Sequence, residues 1–119
     1  MSLDPRLLEA ASADDVRGAV TTHLREAYEA GRERARRRLE SGGEGAEVAR
    51  LYAEVADDLL VNLWRFATEV LYPDASDRLC LMAVGGYGRG VLAPFSDLDL
   101  LVLRPVPQVS ERAAKVSEF

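Results

Sequence analysis

Two acidic residues beside an apolar segment are the strongest indication of chemistry in this sequence. Asp97 and Asp99 are separated by Leu98 and begin an apolar run that ends at Leu103. Side chains two positions apart on a strand point to the same side, so the two carboxylates are predicted to lie together. Neighbouring carboxylates repel unless a cation lies between them or one is protonated, and Mg²⁺ is commonly held by one or two carboxylates plus substrate phosphates. We therefore predict a magnesium site at Asp97 and Asp99.

A glycine-rich turn lies just ahead of the acidic pair. Its glycines are Gly85, Gly86, Gly88 and Gly90. Backbone N–H groups can close on a phosphate at such a turn, especially where a helix starts. Arg89 is a candidate phosphate contact because a guanidinium can bind phosphate oxygens in pairs, although a structural ion pair explains it nearly as well. A phosphate-binding turn beside a metal pair predicts nucleotidyl transfer.

Simpler explanations exist for both parts of this predicted site. The glycines would also suit an ordinary tight turn, and the two aspartates would suit the exposed edge of an amphipathic strand. However, ordering so many glycines for a turn alone is costly. The residues that follow Asp99 are apolar on both faces, which predicts a buried strand with the acids at its mouth.

The elements that would position this site follow from hydrophobic periodicity. Strands are predicted at 79–84 and 98–103, with a short helix from Tyr87 to Leu92 between them. Ahead of them, apolar residues at helical spacing predict two helices. The first is long, starts within residues 12–15 and ends near Leu39, and the second runs from Ala46 to Leu71. A further helix is predicted to start at Ser110.

Three features outside the predicted site receive structural explanations. Cys80 and Trp64 are predicted to be core residues. The arginine cluster at 32–38 is predicted to be a solvated helix face with ion pairs, with contact to an acidic partner or nucleotide as the alternative.

The glycine pair followed by Asp97-Leu98-Asp99 resembles the nucleotidyltransferase superfamily that includes DNA polymerase beta. The longer string GGYGRGVLAPFSDLDLL resembles the N-terminal catalytic domain of the bacterial PII uridylyltransferase/uridylyl-removing enzymes. The resemblance implies an α/β fold, in which N-terminal helices (1–73) precede the first strand–helix–strand part of a truncated polymerase-beta-like domain (74–119).

The resemblance also implies an activity and its participants. These enzymes, which regulate nitrogen metabolism, transfer UMP from UTP to a tyrosine of the PII protein with Mg²⁺ and release pyrophosphate. Asp97 and Asp99 would be the catalytic, metal-binding residues, and Gly85, Gly86 and Arg89 would contact the triphosphate. A third carboxylate, a hydrolase domain and glutamine-sensing domains would lie beyond Phe119. We therefore expect the 119 residues to be an incomplete, inactive piece, and glutamine to act only through absent domains.

Two alternatives remain open from the sequence. A glutamine synthetase adenylyltransferase-like enzyme would share the acidic pair, but its glycine motif differs from GGYGRG. A non-catalytic module would bind nucleotide or a partner without chemistry. A carboxylate on a later apolar strand would favour an enzyme over such a module.

Composition narrows the class of protein. The 119 residues are 48% hydrophobic and 29% charged with a net charge of −5, which is typical of a globular protein and argues against one that coats nucleic acid. The single cysteine cannot form an internal disulfide, which fits a reducing cytoplasm. No apolar run approaches the ~20 residues of a membrane span, and the N-terminus lacks the features of a signal peptide. We expect a cytoplasmic protein that binds neither nucleic acid nor membrane.

Overall fold

A computed structural model describes residues 13–72, 79–94 and 96–103 of the chain. Two long helices precede a two-stranded sheet whose strands flank a single turn of helix. In chain order the elements are α1 (Ala13–Glu40), α2 (Gly45–Arg65, continued by a π-helical segment, Phe66–Leu71), β1 (Cys80–Ala83), α3 (Gly85–Gly88) and β2 (Leu100–Leu103). None of the helices in these ranges is long and apolar enough to span a bilayer. The predicted helix starting at Ser110 lies outside the described residues.

The two long helices pack against each other as an antiparallel pair. Val16, Val20 and Leu24 of α1 meet Phe66 in one buried cluster. Near the other end, Ala35 joins a second cluster whose buried members from α2 are Val48, Tyr52, Ala53 and Ala56. The apolar spacing predicted both helices, and their observed bounds agree with the prediction to within a residue or two.

The arginines near the end of α1 form ion pairs on a solvated face. Arg36 contacts Glu33 and Glu40 of its own helix. Arg38 Nε lies 3.0 Å from Glu47 Oε1 at the start of α2. Hydrogen bonding and charge from Arg36 lower the pKa of Glu33 to about 2. Because solvent screens such pairs, this network adds little stability, and the predicted ion-paired face is confirmed.

The last turn of the second helix is wider than an α-helical turn. The Tyr72 N–H donates to the Ala67 carbonyl at 2.8 Å, five residues back, as in a π-helix. Thr68 Oγ1 donates to the Trp64 carbonyl at 2.7 Å, and such side-chain bonds compete with the regular helical ladder. Half-buried Trp64 packs against Ala67 with Tyr72 and Leu79, so it lies at the edge of the core and not, as predicted, within it.

β1 and β2 pair in antiparallel fashion, with Cys80 opposite Leu103 and Ala83 opposite Leu100. Two expectations were wrong. Leu100, Leu101 and Leu103 are 39–45% exposed rather than buried, and Cys80 is exposed rather than in the core. Among the described residues the sheet has only two strands, so apolar side chains that would fill a larger sheet face solvent.

Candidate functional site

Gly85 and Asp99 are in direct contact where β1 runs into α3. Gly85 has a φ of +60°, a left-handed conformation that glycine adopts readily. The Val84 N–H donates to the Asp99 backbone carbonyl at 3.0 Å. A Cβ placed on Gly85 would lie 2.7 Å from Asp99 Oδ2. This position therefore excludes a side chain, and the Asp99 carboxylate lies directly over the glycine backbone.

Gly86 and Arg89 are neighbours on the same turn. A Cβ on Gly86 would lie 3.8 Å from Arg89 Nη2, which places the guanidinium beside the turn. Arg89 is exposed, so its head group can reach a ligand. The predicted helix from Tyr87 to Leu92 was wrong in its bounds, because α3 begins at Gly85 and ends at Gly88.

Asp97 and Asp99 are both exposed, while Leu98 between them packs partly against the core cluster that includes Tyr87 and Leu92. Leu98 is therefore more buried than either carboxylate, and the placement of the two carboxylates on one side stays a prediction. The predicted strand start was wrong, because β2 begins at Leu100 and both aspartates lie in the segment before it. The acids therefore flank a residue anchored in the core, and one of them touches the glycine turn.

The helices hold this turn and the following loop at three points. Tyr87 Oη donates to Asp57 Oδ1 on α2 at 2.5 Å. The Leu92 N–H donates to the Ala49 carbonyl at 3.0 Å, and Arg32 Nη2 of α1 donates to the Pro94 carbonyl at 2.7 Å. Sequence reasoning missed all three contacts, since each joins residues far apart in the chain. The one available signal was a bulky tyrosine inside a run of glycines.

The carboxylates of Asp97 and Asp99 supply oxygen ligands, the type that a hard divalent cation prefers. Both offer oxygen ligands on exposed side chains, and Mg²⁺ is typically bound by one or two carboxylates with phosphates and water completing the shell. No group of three or more His, Cys, Asp or Glu side chains gathers at one point within residues 13–72, 79–94 and 96–103.

A comparison with known protein families supports the chemistry suggested by this geometry. Residues 30–119 match the family described as "Putative nucleotidyltransferase DUF294". That match begins within α1 and includes the end of that helix, α2, the glycine turn and the acidic pair.

Individual relatives agree with that family match. The chain is 47% identical over 100 residues to a bifunctional uridylyltransferase/uridylyl-removing enzyme of Caulobacter vibrioides, covering 81% of the chain. It is 46% identical over 107 residues to an enzyme of the same name from Phenylobacterium zucineum, covering 87%. A third, from Azospirillum brasilense, is 34% identical over 98% of the chain. These matches cover only 10–13% of the relatives' own length. No solved structure gives a significant match.

Proposed function

This chain belongs to the DUF294 nucleotidyltransferase family, and we propose that the protein containing it transfers UMP from UTP to a tyrosine hydroxyl of the PII protein. The observation that carries the proposal is the 47% identity, over most of the chain, to a relative named as a uridylyltransferase. The GGYGRG string and the Asp97-Leu98-Asp99 triplet support the same reaction. A PII target and the single cysteine are compatible with activity in the cytoplasm.

In the proposed reaction the tyrosine oxygen forms a bond to the α-phosphorus of UTP. The bond from that phosphorus to the oxygen bridging the α- and β-phosphates breaks, so that pyrophosphate leaves with the bond electrons. The hydroxyl proton passes to a base or to solvent. Negative charge grows on the attacking and leaving oxygens, and positioned charges and hydrogen-bond donors stabilise such a transition state.

Each residue of the candidate site has a role in this proposal. Asp97 and Asp99 would hold Mg²⁺, which would neutralise charge on the phosphates. Gly85 and Gly86 would let backbone N–H groups approach the triphosphate, because neither has a side chain in the way. Arg89 would bind a phosphate oxygen through its guanidinium. The contact between Gly85 and the Asp99 carboxylate is compatible with one ligand reaching both groups.

The test is transfer of label from UTP to purified PII by the intact protein with Mg²⁺. Asp97→Asn and Asp99→Asn should each lower the rate at least about 100-fold, because each removes a metal-binding charge with little change in size. Asp58→Asn is the matched control, since Asp58 lines a separate cavity with His23 and Arg34. It should keep the wild-type rate.

Circular dichroism and the pattern of nucleotide use decide between the proposal and its rivals. Folded Asp97→Asn and Asp99→Asn variants with near wild-type transfer would refute the assigned roles. Transfer from ATP in preference to UTP would indicate an adenylyltransferase instead. Nucleotide binding without any transfer would favour a non-catalytic module.

A further inference from the structure

Tyr87 is buried at the centre of an otherwise open turn. Its side chain is 5% exposed and belongs to the cluster that contains Tyr52 and Leu92. Its neighbours Gly88 and Arg89 are exposed. Tyr87 is therefore the residue that packs α3 against the core, and its side chain fixes the orientation of the neighbouring glycine backbone.

The hydroxyl of Tyr87 has a specific partner on the second helix. It donates to Asp57 Oδ1 at 2.5 Å, a short hydrogen bond to a charged acceptor, which is a strong class of hydrogen bond. Burial, followed by the hydrogen bond to Asp57, raises the pKa of Tyr87. Tyr87 thus remains a neutral hydrogen-bond donor at physiological pH.

Of the three hydrogen bonds described above, the one between Tyr87 and Asp57 is made by α3 itself. The contacts at Leu92 and Pro94 hold the loop downstream of the glycines. Asp57 and Ala49 are two turns apart on α2, about 12 Å along its axis. Anchors separated in this way resist rotation of the turn as well as displacement. Tyr87 lies only two residues after Gly85, so a rotation about it would move Gly85 away from Asp99.

We propose that Tyr87 and Asp57 are positioning residues that hold the glycine turn in the orientation needed for the triphosphate and for the Asp99 contact. The inference rests on the proposed function. Catalysis that depends on positioning is sensitive to displacements of about 1 Å, so release of this anchor should impair transfer even in a folded protein. Neither residue touches the reacting atoms in this scheme.

The test compares variants of the intact protein with labelled UTP, purified PII and Mg²⁺. Tyr87→Phe and Asp57→Ala should each lower kcat about tenfold or more, as expected for loss of a charged hydrogen bond that aligns the site. The double variant should be no slower than either single variant, because the same bond is lost. Asp57→Asn keeps an acceptor oxygen and should recover most of the rate. Tyr52→Phe is the matched control, a hydroxyl removed from a buried tyrosine of the same cluster, and should leave kcat unchanged.

A second measurement separates this inference from the proposed function. Amide hydrogen exchange at residues 85–90 should be faster in Tyr87→Phe and Asp57→Ala than in the wild type or Tyr52→Phe. Asp57 is exposed, so Asp57→Ala leaves the core intact if Tyr87→Phe folds poorly. The inference would be overturned if Tyr87→Phe and Asp57→Ala lowered the melting temperature but left kcat, KM for UTP and amide exchange unchanged. The hydrogen bond would then serve stability alone. A wild-type protein that transfers no nucleotide would instead refute the proposed function and, with it, a role in positioning for transfer.

Discussion

Gly85 and Gly90 share an unusual backbone conformation but have different surroundings. Their φ angles are +60° and +77°, so a side chain at either position strains the backbone by a similar amount. A Cβ on Gly85 would meet the Asp99 carboxylate at 2.7 Å, whereas nothing lies within 4 Å of a Cβ on Gly90. Substitutions at the two glycines can therefore separate the effect of backbone strain from the effect of a side chain that crowds Asp99.

We expect Gly85→Ala to lose nucleotidyl transfer and Gly90→Ala to retain most of it. Both variants should lose about 1–2 kcal/mol of stability from the left-handed backbone. Only Gly85→Ala would also push the Asp99 carboxylate away. Transfer rates, measured on protein shown to be folded, check this. Equal losses of activity in the two variants would mean that the contact with Asp99 is unimportant.

At the residue scale, the sequence predicted which residues make up the candidate site but not the contacts that hold it in place. The glycines and the two aspartates stand close together in the chain, so their spacing alone predicted a shared region. Asp57 and Tyr87 are thirty residues apart, and no local pattern links an exposed helical aspartate to a tyrosine in a turn. That pairing depends on how the turn packs on α2, which only the tertiary structure contains.

The two long helices approach each other closely at Gly31. A Cβ on Gly31 would lie 2.7 Å from Val55 Cγ1 and 2.9 Å from Val55 Cγ2, so α1 and α2 approach each other there because glycine has no side chain. Gly18, on the same helix, is exposed and has no atom within 4 Å of such a Cβ. Both glycines disfavour the helix by a similar amount, but only Gly31 allows close packing of α1 against α2.

We therefore expect opposite effects on stability from the same substitution at these two sites. Gly18→Ala should stabilise the 119-residue polypeptide by about 0.5–1 kcal/mol through helix propensity. Gly31→Ala should destabilise it by about 1–2 kcal/mol, since overpacking costs of about 1–3 kcal/mol exceed that gain. Urea unfolding followed by circular dichroism measures both. Stabilisation by Gly31→Ala equal to that by Gly18→Ala would show that the helices separate at no cost.

At the element scale, hydrophobic periodicity predicted the helices, which depend on local spacing. It failed for features that depend on contacts with other elements. The apolar stripes of α1 and α2 are long, so their type and extent followed from the sequence. The π-helical turn at Phe66–Leu71 depends on side-chain bonds such as that of Thr68, which the hydrophobic pattern does not encode. The apolar residues of β2 predicted burial on both faces, but burial requires covering elements, and the described sheet has two strands.

At the scale of the whole molecule, the described residues include an exposed apolar surface on the sheet. Met82, Leu101 and Leu103 are 43–45% exposed, and Met82 stands opposite Leu101 in the strand pairing. The chain spans about a tenth of the length of the Caulobacter vibrioides relative. Exposed strands with apolar side chains are prone to pair with other chains, so we expect this surface to govern how the isolated polypeptide behaves in solution.

The 119-residue polypeptide should therefore self-associate through its sheet as its concentration rises. Leu101→Lys should shift it toward monomer, because a charge on an exposed strand opposes both strand pairing and apolar contact. Leu39→Lys is the matched control, a leucine of similar exposure (42%) at the end of α1, and should associate like the wild type. Sedimentation velocity between about 10 and 100 µM, where such association is common, distinguishes the two. Equal association of all three polypeptides would show that the contact does not involve Leu101. A larger effect from Leu39→Lys would place the contact on the helices instead.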